Sequence, residues 1–176
     1  VIGKQAFEGC QFQKMVVFPE SLVEIKKRAF AGNRRLRKTV FPHNIEKIEA
    51  NCKGKTTIRF AVMGDSQRWY DATEDFVKEI NKRDNIDFVI HGGDMSDFGV
   101  TKEFLWQRDI MNGLKVPYVA LIGNHDCLGT GEETYKTVFG PTNFSFIAGN
   151  VKFVCLNTNA LEYDYSEPIP NFTFME

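Results

Sequence analysis

The chain lacks several features that would place it quickly. No Cys-x-x-Cys pair occurs among Cys10, Cys52, Cys127 and Cys155. That scatter excludes a zinc ribbon and argues against a dense disulfide framework. No apolar run approaches the roughly 20 residues that span a bilayer. The opening residues, VIGKQAF, hold neither a Met nor a signal-peptide pattern. Histidine is scarce, with only His43, His91 and His125. Large net charge is missing too, at −1. What is present is ordinary: 43% hydrophobic and 26% charged residues over 176 positions, enough for a globular core and against disorder. The charge is unevenly spread. Residues 1–50 carry 10 Lys/Arg and 5 Asp/Glu, and residues 51–176 carry 12 and 18. This split suggests two modules and does not by itself imply nucleic acid.

The first module repeats. IGKQAFEGCQFQKMVVFPESLVE (2–24) aligns with IKKRAFAGNRRLRKTVFPHNIEK (25–47) at a period of 23 residues. Ile2 matches Ile25, Ala6-Phe7 matches Ala29-Phe30, Gly9 matches Gly32, and Val17-Phe18-Pro19 matches Val40-Phe41-Pro42. A third copy begins at Ile48 and dissolves. A fixed period of this length marks a solenoid, and MVVFP and TVFP read as short strands closed by proline. The pattern resembles leucine-rich repeats of the BspA-like type. That resemblance implies an adhesive or displaying role, a protein partner for the repeats, and a cell-surface or secreted setting. Two copies are too few to cover their own apolar faces, so a longer array is expected upstream. The basic cluster Lys26, Lys27, Arg28, Arg34, Arg35, Arg37 and Lys38 reads as a solvated repeat face: the single aromatic within it, Phe30, belongs to the repeated Ala-Phe pair.

Residues 51–57 read as a linker. Beyond it, strands and helices alternate. IRFAVM (58–63), IDFVIH (86–91) and VPYVALI (116–122) are apolar strands. Between them, Trp69, Ala72, Thr73, Phe76, Val77 and Ile80 fall at helical spacing. So do Trp106, Ile110 and Leu114, with Thr101 as the expected N-cap. Such alternation implies a parallel sheet. Residues 127–140 read as a loop, and 143–158 as a hairpin turning at Ala148-Gly149-Asn150. In the tail, Tyr163, Tyr165 and Phe172 read as packing residues.

Each of the three strands ends in a polar cluster: GDSQ, HGGDMSD and GNHD. Asp65 to Asp94 is 29 residues and Asp94 to Asn124 is 30, the length of a βαβ unit. The clusters should therefore meet at the carboxyl edge of one sheet, where open α/β folds bind ligands. Two carboxylates placed together call for a cation or a proton between them. Oxygen donors with an imidazole suit Mn, Fe or Zn. Two such ions about 3.5–4 Å apart can share a carboxylate and activate a water.

GDSQ…GGDMSD…GNHD resembles the first three blocks of the calcineurin-like metallophosphoesterase superfamily. The nearer likeness is to its purple-acid-phosphatase-like and cyclic-nucleotide-phosphodiesterase-like branches, and FGPTNFSFIAGNVKFVCLNT resembles their following hairpin. The resemblance implies an α/β fold, an αββα sandwich with a mixed sheet, of which 58–176 would be the N-terminal part. It implies hydrolysis of a phosphate mono- or diester by a metal-activated water at a binuclear site. Asp65 would bind the first metal, Asp94 would bridge, and Asn124 would bind the second. Gln67 stands where the commonest pattern has His, and would be an amide-oxygen ligand. His125 would meet the phosphate and assist the leaving group, oriented by Asp126. Asp97 would support them from behind. The resemblance also implies further histidines downstream. None follows His125, and His91 reads as a packed strand-end residue. Four ligands are too few for two metals, so the chain is expected to be part of a longer protein and incompetent alone.

Two other readings share these residues. A serine esterase of the GDS type would use Ser66 as nucleophile, but its later Gly-x-Asn and Asp-x-x-His blocks are poorly imitated or missing. Alternatively, the repeats are the working part and the phosphoesterase-like domain is degenerate.

Overall fold

Where apolar residues keep a single period, the chain folds as that period dictates. This computed structural model describes residues 4, 6–7, 15–17, 38–40, 45–163, 169 and 171–175. The chain divides into two compact units, Val1–Pro42 and His43–Glu176.

In the first unit β1 (Met15–Val17) and β2 (Lys38–Val40) pair in parallel, Met15 opposite Lys38 and Val17 opposite Val40. Partners therefore sit one 23-residue repeat apart, so equivalent positions of successive copies stack. His43, Tyr165 and, except for Lys38, the basic cluster lie outside the described residues.

The second unit opens with α1 (Ile45–Cys52). Three strands follow, β3 (Phe60–Met63), β4 (Phe88–His91) and β5 (Tyr118–Ala120), all parallel and in the order β3-β4-β5. Crossovers are supplied by α2 (Tyr70–Ile80) and α3 (Thr101–Met111). A further helix, α4 (Gly131–Val138), precedes an antiparallel hairpin, β6 (Phe144–Ala148) and β7 (Val151–Cys155). The fold is α/β, and among the described residues the parallel sheet and the hairpin are separate ladders.

Strand side chains alternate between two faces. Val89, Tyr118 and Ala120 pack with Val77, Ile80, Phe104, Met111, Tyr135 and Phe139 from α2, α3 and the α4 region. Phe88 and Val119 face the other way, against Ile48 and Cys52 of α1 and Phe144, Phe146 and Ala148 of the hairpin. Three layers result: helices, sheet, and α1 with the hairpin. On the hairpin side the rings of Phe88, Phe146 and Phe153 interlock, with Phe146 and Phe153 stacked at 4.9 Å.

Four expectations are corrected here. The stretch 127–140 contains α4, not a loop throughout. Tyr135 and Phe139, one helical turn apart, bury their rings against Phe104. Thr101 is the first residue of α3 and not its cap. The N-cap is Val100, and Glu103 in the first turn reaches back, its carboxylate taking the N–H groups of Phe98 and Val100 and the Ser96 hydroxyl. Residues 45–52, read as the end of the repeats and the start of a linker, form α1 and belong to the sheet unit, because Ile48 and Cys52 are fully buried in its core. Phe172, read as packing, is 63% exposed.

Candidate functional site

The three strands run parallel, so Gly64-Asp65, Gly92-Gly93-Asp94 and Gly123-Asn124 leave the sheet at one edge. Backbone hydrogen bonds sew these turns together. Asp65 N–H donates to Gly93 O at 3.1 Å, Gln67 N–H to Asp94 O at 3.0 Å, and His125 N–H to Asp94 Oδ1 at 3.0 Å. The glycines allow the approach. A Cβ on Gly123 would lie 2.1 Å from Asp94 Oδ1, and Gly93, at φ 113°, has Gly123 N 2.7 Å from where its Cβ would be.

Asp65 and Asp94 both adopt left-handed backbone, at φ 52° and 56°, as does Arg68 at 67°. Such conformations are uncommon for side chains beyond glycine, and they gather at functional turns. Asp65 is exposed, while Gln67, Asp94 and Asn124 are half-buried.

The donor set is made of acceptors. One end of the Asn124 amide lies 3.3 and 3.1 Å from the two Asp94 carboxylate oxygens. With nothing between them, the NH2 end belongs there and donates to both; with a cation between, the oxygen end does. Gln67 Oε1 is buried and has no hydrogen-bond partner. A buried acceptor without a donor is costly unless a cation or water meets it. Among the described residues no three His, Cys, Asp or Glu gather into a metal cluster. The set is two carboxylates and two amides, which suits a hard cation rather than a thiolate-seeking one.

His125 and Asp126 divide differently from expectation. The Asp126 carboxylate does not orient His125. Its Oδ1 accepts the N–H groups of Met95 and Ser96 at 2.9 and 2.7 Å, and its Oδ2 that of Gly123 at 3.0 Å. Asp126 is fully buried, and burial pushes its pKa up to about 6, with the nearby Asp94 charge adding and the three N–H donors opposing. It is the pin between the second and third turns. The His125 ring is held by Asp97 instead. Nδ1 lies 3.1 Å from the Asp97 carbonyl oxygen and 3.6 Å from its Oδ1. A carbonyl only accepts, so Nδ1 carries the hydrogen and Nε2 the lone pair.

Ser66 is 2% exposed, with its Oγ 2.7 Å from His91 Nε2. Gly93 N–H donates to His91 Nδ1, so Nε2 is the protonated nitrogen and donates to Ser66. Burial holds the His91 pKa down to about 4. A serine that is buried and accepts from its histidine is not poised to attack an acyl group. Sequence reasoning missed two other contributors. Gln107, fully buried on α3, donates to Ser66 O at 2.6 Å. Arg68 grips Asp97 through Nε and Nη2 at 2.5 and 2.7 Å. Neither had a spacing signal, since both partners lie far off in the chain.

The Calcineurin-like phosphoesterase family matches residues 58–173. The chain belongs to that family. Calcineurin-like phosphoesterases hydrolyse phosphoesters and use divalent metal ions. The BspA type Leucine rich repeat region matches residues 1–66. The two matches overlap at 58–66, and there β3 and its Asp65 turn are part of the phosphoesterase sheet. Among curated proteins no match is found. No helix among the described residues of this phosphoesterase is long and apolar enough to cross a membrane.

Proposed function

We propose that this domain hydrolyses a phosphate mono- or diester at a binuclear metal centre held by Asp65, Gln67, Asp94 and Asn124. The observation that carries the reading is the meeting of Asn124 with both Asp94 oxygens, beside the partnerless Gln67 Oε1. Asp94 comes from the central strand and would serve both ions; Asp65 with Gln67 would complete one and Asn124 the other. Bound there, divalent ions supply positive charge against the phosphoryl oxygens and acidify a water. The chain's own residues do the rest. Asp126 fixes the separation of the Asp94 and Asn124 turns. His125, tethered through Nδ1, presents Nε2 to the phosphoryl group and the departing oxygen.

The test has two arms. Equilibrium dialysis with zinc or manganese should show binding to this chain that Asp94→Asn lowers by about 100-fold or more. In the full-length protein, hydrolysis of p-nitrophenyl phosphate should be abolished by a chelator and by Asp94→Asn, while Ser66→Ala stays within about threefold. Activity that survives the chelator and dies with Ser66→Ala would replace this reading with the esterase. Metal binding without hydrolysis would favour the repeats as the working part.

A further inference from the structure

The Asp97 carboxylate has two claimants. Arg68 holds both of its oxygens, Nε on Oδ2 at 2.5 Å and Nη2 on Oδ1 at 2.7 Å. The His125 ring stands 3.6 Å from Oδ1, beyond hydrogen-bond reach, and makes do with the Asp97 carbonyl at 3.1 Å. The three groups differ sharply in freedom. The Arg68 side chain is 68% exposed and that of His125 39%, whereas the Asp97 side chain is 7% exposed. Arg68 also sits in left-handed backbone at φ 67°, a strained setting for a long side chain, two residues beyond the buried Ser66. An exposed guanidinium therefore rests on a buried carboxylate.

We propose that Arg68 is a positioning residue that exchanges Asp97 for the substrate's phosphoryl group, and so hands the Asp97 carboxylate to His125 only when substrate is present. The proposal rests on the site reading above. Guanidinium binds phosphate by the same fork geometry with which it binds a carboxylate, so the exchange keeps its charge-assisted bonds. Once Arg68 leaves, Asp97 is a buried anion lacking its counter-charge, and His125 Nδ1 stands 3.6 Å from its Oδ1. Closing the 3.6 Å gap satisfies it. The ring then gains a carboxylate partner in place of a carbonyl, which fixes its orientation at the moment a phosphoryl group arrives. No bond is made or broken; only hydrogen-bond partners change. Binding of the anion and readiness of His125 become one event.

The exchange is read directly by 15N NMR of the Arg68 Nε–H and His125 Nδ1–H signals, in the full chain with zinc, before and after inorganic phosphate. In the parent both signals should move on adding phosphate, with Nδ1–H shifting downfield. In Arg68→Met the His125 signal should already sit at the shifted position and stay there. The affinity for phosphate should fall about tenfold. Arg68→Lys, which keeps charge but not the fork, should fall between the two and serves if the Met variant does not fold. In the full-length enzyme Arg68→Met should raise KM about tenfold with kcat within about threefold; a merely structural residue would lower kcat and leave KM. If zinc moves the Asp65, Asp94 and Asn124 signals while phosphate leaves Arg68 and His125 unmoved, the exchange is wrong and the site reading stands. If zinc moves none of them, the site reading itself falls.

Discussion

Asp126 and Gly123 show how individual residues build the site before any ligand arrives. Each is small in chemistry and large in placement. Gly123→Ala would thrust a methyl to within 2.1 Å of Asp94 Oδ1, a position that cannot yield without moving that carboxylate. The expected outcome is a loss of about 1–3 kcal/mol in urea unfolding, together with loss of zinc binding in dialysis. His91 gives a pH signature. Its folded pKa is about 4 against an ordinary 6.5, because burial disfavours the charged ring. Between those values the unfolded chain binds a proton that the fold refuses, so stability falls as pH drops from about 6.5 toward 4. The full effect is about 3 kcal/mol. His91→Gln should flatten that part of the stability–pH curve. Subtracting the variant's curve from the parent's also removes Asp126, which works in the opposite direction because its folded pKa is raised.

At the scale of elements, legibility in the sequence followed periodicity. The strands β3, β4 and β5, the helices α2 and α3 and the hairpin were readable because apolar residues in each keep one spacing. The clusters were readable because parallel strands of similar separation must end side by side. What escaped was α4, whose opening LGTGEE is glycine-rich and polar, and whose apolar face is reduced to Tyr135 and Val138, with Phe139 just past its end. Contacts between distant residues escaped as well. Nothing in RWYD announces that Arg68 will hold Asp97, and the order Asn-His-Asp suggests that Asp126 serves His125 when it serves the backbone of another turn. Two variants weigh the missed helix. Phe104→Ala empties a fully buried site against Tyr135 and Phe139 and should cost about 3–5 kcal/mol in urea unfolding. Tyr135→Phe keeps the ring and loses only the bond from its hydroxyl to Ala120 O, for about 1 kcal/mol.

For the whole molecule, two compact units with opposite charge excess share one chain. The sheet unit has its own two-sided core, with α1 covering part of one side. A chain beginning at His43 should therefore melt within a few degrees of the longer one, whereas one beginning at Lys53 should melt well below it, having lost Ile48 and Cys52; differential scanning calorimetry separates the cases. Metal binding should appear on the same scale. Zinc at about 100 times its Kd should add about 2.7 kcal/mol to stability, and a chelator should remove it.

The pairing of β1 with β2 at an offset of one repeat has a consequence for length. Adjacent strands lie about 4.8 Å apart, so an array with this register grows in steps of that size. Gain or loss of a whole 23-residue copy changes its height by one step and keeps every strand in frame. A deletion of any other length throws each later strand out of frame. Such an array is a ruler graduated in repeats, and its reach can be reset without redesigning any single copy.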